Sequence, residues 1–403
     1  MVIRPVTRNK IIFSLVQLLY CAATAKSVFT VLFLQQKGLS NTIIGLIISI
    51  SAVMVIFLQP LWGYISDRFS ARIPILITCF TMATIMYCML LTTDIPIVLG
   101  IILVLVSFFE CAIASILDVW ILAHVGKNYG SIRLWGSIGF SGAVFIYSQV
   151  IGSGTIASMF PVFIVVSILT LVAFILLIRY AGSDLPTKEK RQIQKLSPKV
   201  LIGNIRYVLL LCFVFLLFLP NSPSSTFLPN LFQATGGSVE MYGLSNSFKA
   251  AAEIPAFLFG ALLLRKFGHV AMIFFASSLY FMAQLLFALA QSPIQVALGQ
   301  VMQGPAYSLL LLGTLNYVYQ LAPKEMQVTA QTLVSAIGMG LAAIVGNYSG
   351  GLVIDHYGIK PLYWLGMSII AAAMLLFSIS FLWGKKNSNH TLIQTNTSTE
   401  QSR

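Results

Sequence analysis

Residues 42–72 read TIIGLIISISAVMVIFLQPLWGYISDRFSAR. From Thr42 to Ser66 there is no Lys, Arg, Asp or Glu, and about 20 apolar residues let a helix cross the hydrocarbon core of a bilayer. Asp67, Arg68 and Arg72 then crowd into a short turn, and a second apolar run opens at Ile73. One helix crosses, a charged turn follows, and another helix returns.

The same reading extends along the chain in both directions. Apolar runs long enough to span fall at 11–34, 42–65, 73–93, 97–123, 132–152, 158–180, 207–231, 242–264, 270–291, 294–321, 328–353 and 361–383. Most connections are short, as antiparallel neighbours require, but the segment 181–206 is long, polar and basic. The expected fold class is an all-α membrane protein of twelve transmembrane helices. A six-helix bundle over 1–180 and a linker over 181–206 lead to a second bundle over 207–384 and a polar, disordered tail over 385–403.

Composition narrows the function classes. Of the 403 residues 58% are hydrophobic and 9% charged, against about a quarter charged in soluble domains, which excludes a soluble enzyme, a disordered chain and a disulfide scaffold. The net charge of +13 would point to nucleic acid only if the basic residues shared a soluble face; they are scattered between the apolar runs. Nineteen Lys and Arg fall on the side of the termini and linker, against Lys37 and Lys360 on the other. Basic residues concentrate in short cytoplasmic loops, so both termini are expected in the cytoplasm. The sequence holds no metal-ligand cluster, catalytic triad or phosphate loop, and the five cysteines sit in apolar runs without paired spacing. No metal, cofactor or enzymatic activity is expected.

The two halves repeat. At an offset of 198, Ile44-Gly45-Leu46 lies over Tyr242-Gly243-Leu244 and Asp67-Arg68-Phe69 over Arg265-Lys266-Phe267; at 199, Ser137-Ile138-Gly139 meets Ala336-Ile337-Gly338. An even number of spans separates the matches, so the repeats are parallel, as in transporter halves related by an axis along the membrane normal with the substrate site between them.

Gly63-Tyr64-Ile65-Ser66-Asp67-Arg68, followed by Arg72, resembles the loop between helices two and three of the major facilitator superfamily, G-x-x-x-D-[RK]-x-G-R-[RK], with Ser70 and Ala71 departing from the pattern. Three further stretches are similar to the branch holding the phenylpropionate, nucleoside and lactose proton symporters. They are 129–140 (YGSIRLWGSIGF), Glu253-Ile254-Pro255, and Gly350 to Asp355 with Gly358. The resemblance implies the major facilitator fold in the cell membrane, working as a monomer among lipids. It implies a proton-coupled symporter that imports a small-molecule solute (a nucleoside, saccharide or aromatic acid) by alternating access, with Gly63, Asp67, Arg68 and Arg72 in a cytoplasmic gate. The alternatives are a proton-coupled exporter of hydrophobic compounds and a non-transporting solute sensor of the same fold.

Charges inside spans are functional candidates because each costs about 2.5–3.5 kcal/mol at a helix centre. There are six: Lys26 in span one, Glu110 and Asp118 in span four, Arg133 in span five, and Lys249 and Glu253 in span eight. Spans three, six, nine and twelve have none once Arg179 is counted with its loop, matching the peripheral helices of the fold this chain resembles. Lys249 and Glu253, four apart, share a helix face; they are either a self-neutralising pair or a proton carrier and its tuner. Asp118 and Arg133 approximately match the acidic residue and arginine that hold sugar in the lactose branch, or form a neutralised structural pair. Glu110 has Lys26 as its expected partner. The histidines and carboxylates of that branch on helix ten are missing, so Glu253, and after it Glu110, are the expected proton-coupling groups. Span seven carries Pro220, Pro223 and Pro229 and is expected to kink or open, presenting Asn221, Ser224 and Ser225 to solute. Gln300, Gln303 and Tyr307 form one stripe on span ten, either lining the site or bonding helices together.

Overall fold

The computed structural model describes the backbone of residues 5–68, 72–125, 129–181, 201, 203–323 and 326–400. The side chains of 5–9, 67–68, 72, 122–123, 125, 129–130, 180–181, 328 and 380–400 lie outside the description. Among the described residues every regular element is helical. Ten helices are long and apolar enough to cross a membrane. One of these, Val239–Ala288, is 50 residues long and turns on Gly268 at φ 78, ψ 167, so it supplies spans eight and nine. Span ten, Pro293–Leu321, is less apolar because of Gln300, Gln303 and Asn316, yet its 29 residues reach about 43 Å at 1.5 Å each. The twelve expected spans are thus all present.

Four spans depart from simple rods. Span one is two helices, Pro5–Thr24 and Ser27–Gln36, because Ala25 and Val28 take tighter i−3 hydrogen bonds across the join. Span seven, Ile205–Thr226, stays helical through Pro220 and Pro223 and stops only at Phe227, ahead of Leu228–Ala234 with Pro229 in its first turn. Along the stretch expected to kink or open, the helical pattern is interrupted only at Phe227. Ser224 donates to the Pro220 carbonyl and Asn221 to the Leu217 carbonyl, each one turn back, so these polar side chains find acceptors within the helix. Span eleven, between Gln327–Ser335 and Ala342–Tyr357, contains a π-helical turn, Ala336–Leu341. Span twelve continues as helix to Glu400, into the tail expected to be disordered; extending a helix already nucleated is far easier than starting one.

The core has a telling division. At the face opposite the termini a single apolar cluster joins both halves, with Phe29, Phe33, Tyr147 and Leu99 beside Phe232, Tyr242 and Phe287. The Phe29 and Tyr242 rings meet edge-on at 6.1 Å. Towards the face bearing the termini there are two separate clusters, one around Trp120 and Phe174 and one around Phe213 and Phe377.

Spans two (Asn41–Arg68) and eleven, and spans five (Tyr129–Gly152) and eight, make the contacts across the halves. A Cβ on Gly45 would lie 2.2 Å from the Asn347 carbonyl, and one on Gly243 2.1 Å from the Ser148 Cβ, so only glycine permits these backbones to close. Further along span two, Ile56 lies against Gly340. Beyond it, from Phe57 to Tyr64, only Leu58 and Trp62 are partly covered. The molecule is closed at the face opposite the termini and parted at the terminal face.

Candidate functional site

Between the halves lies a cavity of about 370 Å³. Its polar wall is built by Lys26 and Thr30 of span one, Ser51 of span two, Tyr87 of span three, Ser107 and Glu110 of span four, Ser225 and Thr226 of span seven, and Tyr242 and Asn246 of span eight. Val31, Leu34, Ile47 and Val106 make the rest apolar. Both halves contribute, so a solute here would touch each.

Lys26 and Glu110, expected as partners from their spans, form an ion pair. Its halves are unequally placed: the Lys26 side chain is 7% exposed and the Glu110 side chain 38%. The carboxylate faces the cavity while the ammonium is set behind it. Two aromatic faces hold that ammonium, Tyr87 at 4.5 Å and Phe163 at 4.7 Å from the ring centres, and such contacts are worth about 2 kcal/mol when desolvated. The Tyr87 hydroxyl is in turn hydrogen-bonded to Thr30 at 2.8 Å. Spans three and six, expected to be peripheral, thus reach the site through one aromatic residue each.

The other expected residues are distributed around this cavity. Arg133 contacts Asp118 at 3.3 Å, with 62% and 40% of their side chains exposed, towards the parted terminal face. Lys249 and Glu253 share a face of span eight, but among the described residues no ion pair joins them. They lie against span ten, where Gly304 lets the Lys249 carbonyl come within 2.3 Å of a would-be Cβ and Ser308 bonds the Glu253 carbonyl at 3.4 Å. Neither lines the central cavity. Ser225 does, whereas Asn221 and Ser224 are buried against Gln284 of span nine, Ser224 at 2.8 Å. Gln300 is buried and bonds Ser245 of span eight, and Gln303 is buried beside it. Tyr307 borders a small apolar pocket with Val214, Phe218 and Gly338. Gly63 is exposed on the parted stretch of span two. The expected gate side chains Asp67, Arg68 and Arg72 lie outside the described residues.

Tyr87, Thr30, Thr226 and Asn246 carry no charge and no motif, and Tyr242 only a place in the repeat, so the sequence offered no signal that they line a site. Their roles come from which spans meet.

The chain is similar over residues 11–365 to the family model described as MFS_1 like family. It is 26% identical to the uncharacterized transporter YwbF of Bacillus subtilis (strain 168) over 365 residues, 89% of each chain. With the maltose permease of Geobacillus stearothermophilus it shares 30% identity over 339 residues, covering 82% of this chain and 84% of the permease. The crystal structure of the nucleoside transporter NupG superposes with a TM-score of 0.78 at 17% identity, covering 94% of this chain and 99% of that one, a likeness of fold. With the family model covering most of its length and a fold of twelve paired spans, the chain belongs to the MFS_1 like family, and it is a multi-pass membrane transporter of the major facilitator type.

Proposed function

We propose that this transporter is a proton-coupled symporter of the cell membrane that imports a small hydroxylated solute, foremost a saccharide, through the cavity around Lys26 and Glu110. The observation that carries this reading is the Glu110 carboxylate exposed on the wall of a cavity lined by both halves, with its buried counter-ion behind it. A group that gains and loses a proton must be reachable from water and lie beside the solute, and the position of Glu110 on the cavity wall, with 38% of its side chain exposed, supports that role. Protonation frees Lys26 from its partner, and the Tyr87 and Phe163 ring faces neighbour the ammonium while it waits. Glu253, off the cavity, is the second candidate.

Hydroxyl and amide groups from Thr30, Ser51, Ser107, Ser225, Thr226 and Asn246 supply donors and acceptors for a polyol, while the aliphatic wall takes its less polar face. The charges in the spans balance, three basic and three acidic, which favours a neutral solute over an aromatic carboxylate. The 30% identity to a maltose permease supports a saccharide. The nineteen basic residues on the terminal side support cytoplasmic termini, and the arrangement described above is then inward-facing. The protein acts as a monomer, its site being complete within one chain.

The test is uptake into proteoliposomes with the outside acidified, over maltose, other saccharides, nucleosides and aromatic carboxylates. Accumulation of a saccharide only when the gradient is imposed supports the reading. Uptake of apolar compounds with the gradient reversed would replace it with an exporter.

A further inference from the structure

The closed face is held by more than apolar packing. Asp355, near the end of span eleven, reaches across to the first two residues of span two. Its Oδ1 accepts the Asn41 backbone N–H at 3.1 Å and the Asn41 side-chain amide at 2.9 Å. Its Oδ2 accepts the Thr42 backbone N–H at 2.8 Å and the Thr42 hydroxyl at 2.6 Å. A helix begins with backbone N–H groups that have no partner within the helix, and a carboxylate there is favoured by the helix dipole as well as by the bonds. Span two therefore has part of its N-terminal cap supplied from the other half of the molecule.

Two more features converge on the same residue. Asn41 also accepts from Asn230 of the short helix after span seven at 2.8 Å and from Gln35 of span one at 2.9 Å. A Cβ on Gly351 would lie 2.3 Å from the Asn41 carbonyl, so the two helices touch at the backbone beside the cap. Further side-chain hydrogen bonds join the halves: Gln35 to the Asn230 amide oxygen, Ser49 to the Ile344 carbonyl, Tyr242 to the Val28 carbonyl and Ser247 to the Ser141 carbonyl.

We infer that Asp355 is a latch: its carboxylate, capping span two in trans, holds the face opposite the termini closed while the terminal face is open. Opening that face strips the cap from span two and leaves the carboxylate and both N–H groups to water. The latch thereby sets how the protein divides its time between its two orientations, independently of which solute it carries.

Hydrogen exchange on the full-length protein in lipid nanodiscs tests this without any ligand. In Asp355→Ala and Asp355→Asn, exchange over 41–48 and 350–357 is expected to rise at least tenfold, and exchange over 57–66 and 327–341 to fall at least threefold as the terminal face closes. Thr42→Val, which removes one donor, is expected to move both regions the same way by a smaller factor and covers the case in which the Asp355 variants do not fold. Unchanged exchange at both ends would overturn the latch. So would a rise at the capped end with no fall at the other, since a purely local cap produces that pattern.

Discussion

The Lys26 ammonium and the Glu110 carboxylate, from spans one and four, are paired so that the cation is buried and the anion faces the cavity. Removing one partner of a buried pair leaves an uncompensated charge, which costs about 3–5 kcal/mol when burial is complete; exposure of Glu110 reduces that figure here. Glu110→Gln and Lys26→Met are each expected to lower thermal stability, and the double variant to recover part of the loss. A double-mutant cycle in melting experiments should return a coupling of about 0.5–3 kcal/mol. Additive losses would mean that the two groups act separately.

The Arg133–Asp118 pair should behave in the opposite way. Both side chains are well exposed, and such pairs contribute about 0–1 kcal/mol. Arg133→Gln and Asp118→Asn are expected to melt almost as the parent protein does. If these residues meet solute at the parted face, the KM for the transported solute rises tenfold or more, and exchanging the two charges does not restore it. An unaltered KM in both variants would confine the pair to neutralising one another.

Asn221, Ser224 and Gln284 form a buried polar knot between spans seven and nine, away from the cavity. Gln284→Leu leaves Ser224 and Asn221 with unmatched groups, at about 1–3 kcal/mol each. The expected outcome is a loss of stability in denaturation with the order of preference among solutes unchanged. A changed preference would move this knot into the binding site.

Closure at the face opposite the termini depends on absent side chains. Gly243→Val would set a branched side chain where a Cβ already stands 2.1 Å from Ser148. The halves can relieve the clash only by parting there, so the variant should fold, bind solute from the outer side and carry out no net uptake. Uptake at the parent rate would show that the two spans separate without functional cost.

How much of this was legible in the sequence depended on range. Runs of about twenty apolar residues, the basic loops and the 198-residue repeat all act locally or through simple counting, and they led to the twelve spans and their division into two parallel halves. Lys26 and Glu110 were also accessible, because a charge inside a span demands a partner and few are available. Tyr87 and Phe163 were not, since an aromatic residue in an apolar span has no signature that separates core from site. Asp355 closes a stretch that carries the family resemblance but no assigned role, and only the approach of span eleven to Asn41 makes it a cap. The prolines of span seven suggested a kink or an opening; the helix continues as far as Phe227, and the Leu219 carbonyl, freed by Pro223, lies against Gly346 of span eleven.

The central claim, that Glu110 couples solute movement to protons, is tested most directly by comparing two activities of one variant in proteoliposomes. Glu110→Gln is neutral whatever the pH, so it is expected to exchange labelled for unlabelled maltose across the membrane at equilibrium while failing to accumulate maltose when the outside is acidified. The parent protein should do both. Accumulation by Glu110→Gln to the parent level under the same gradient would contradict the account.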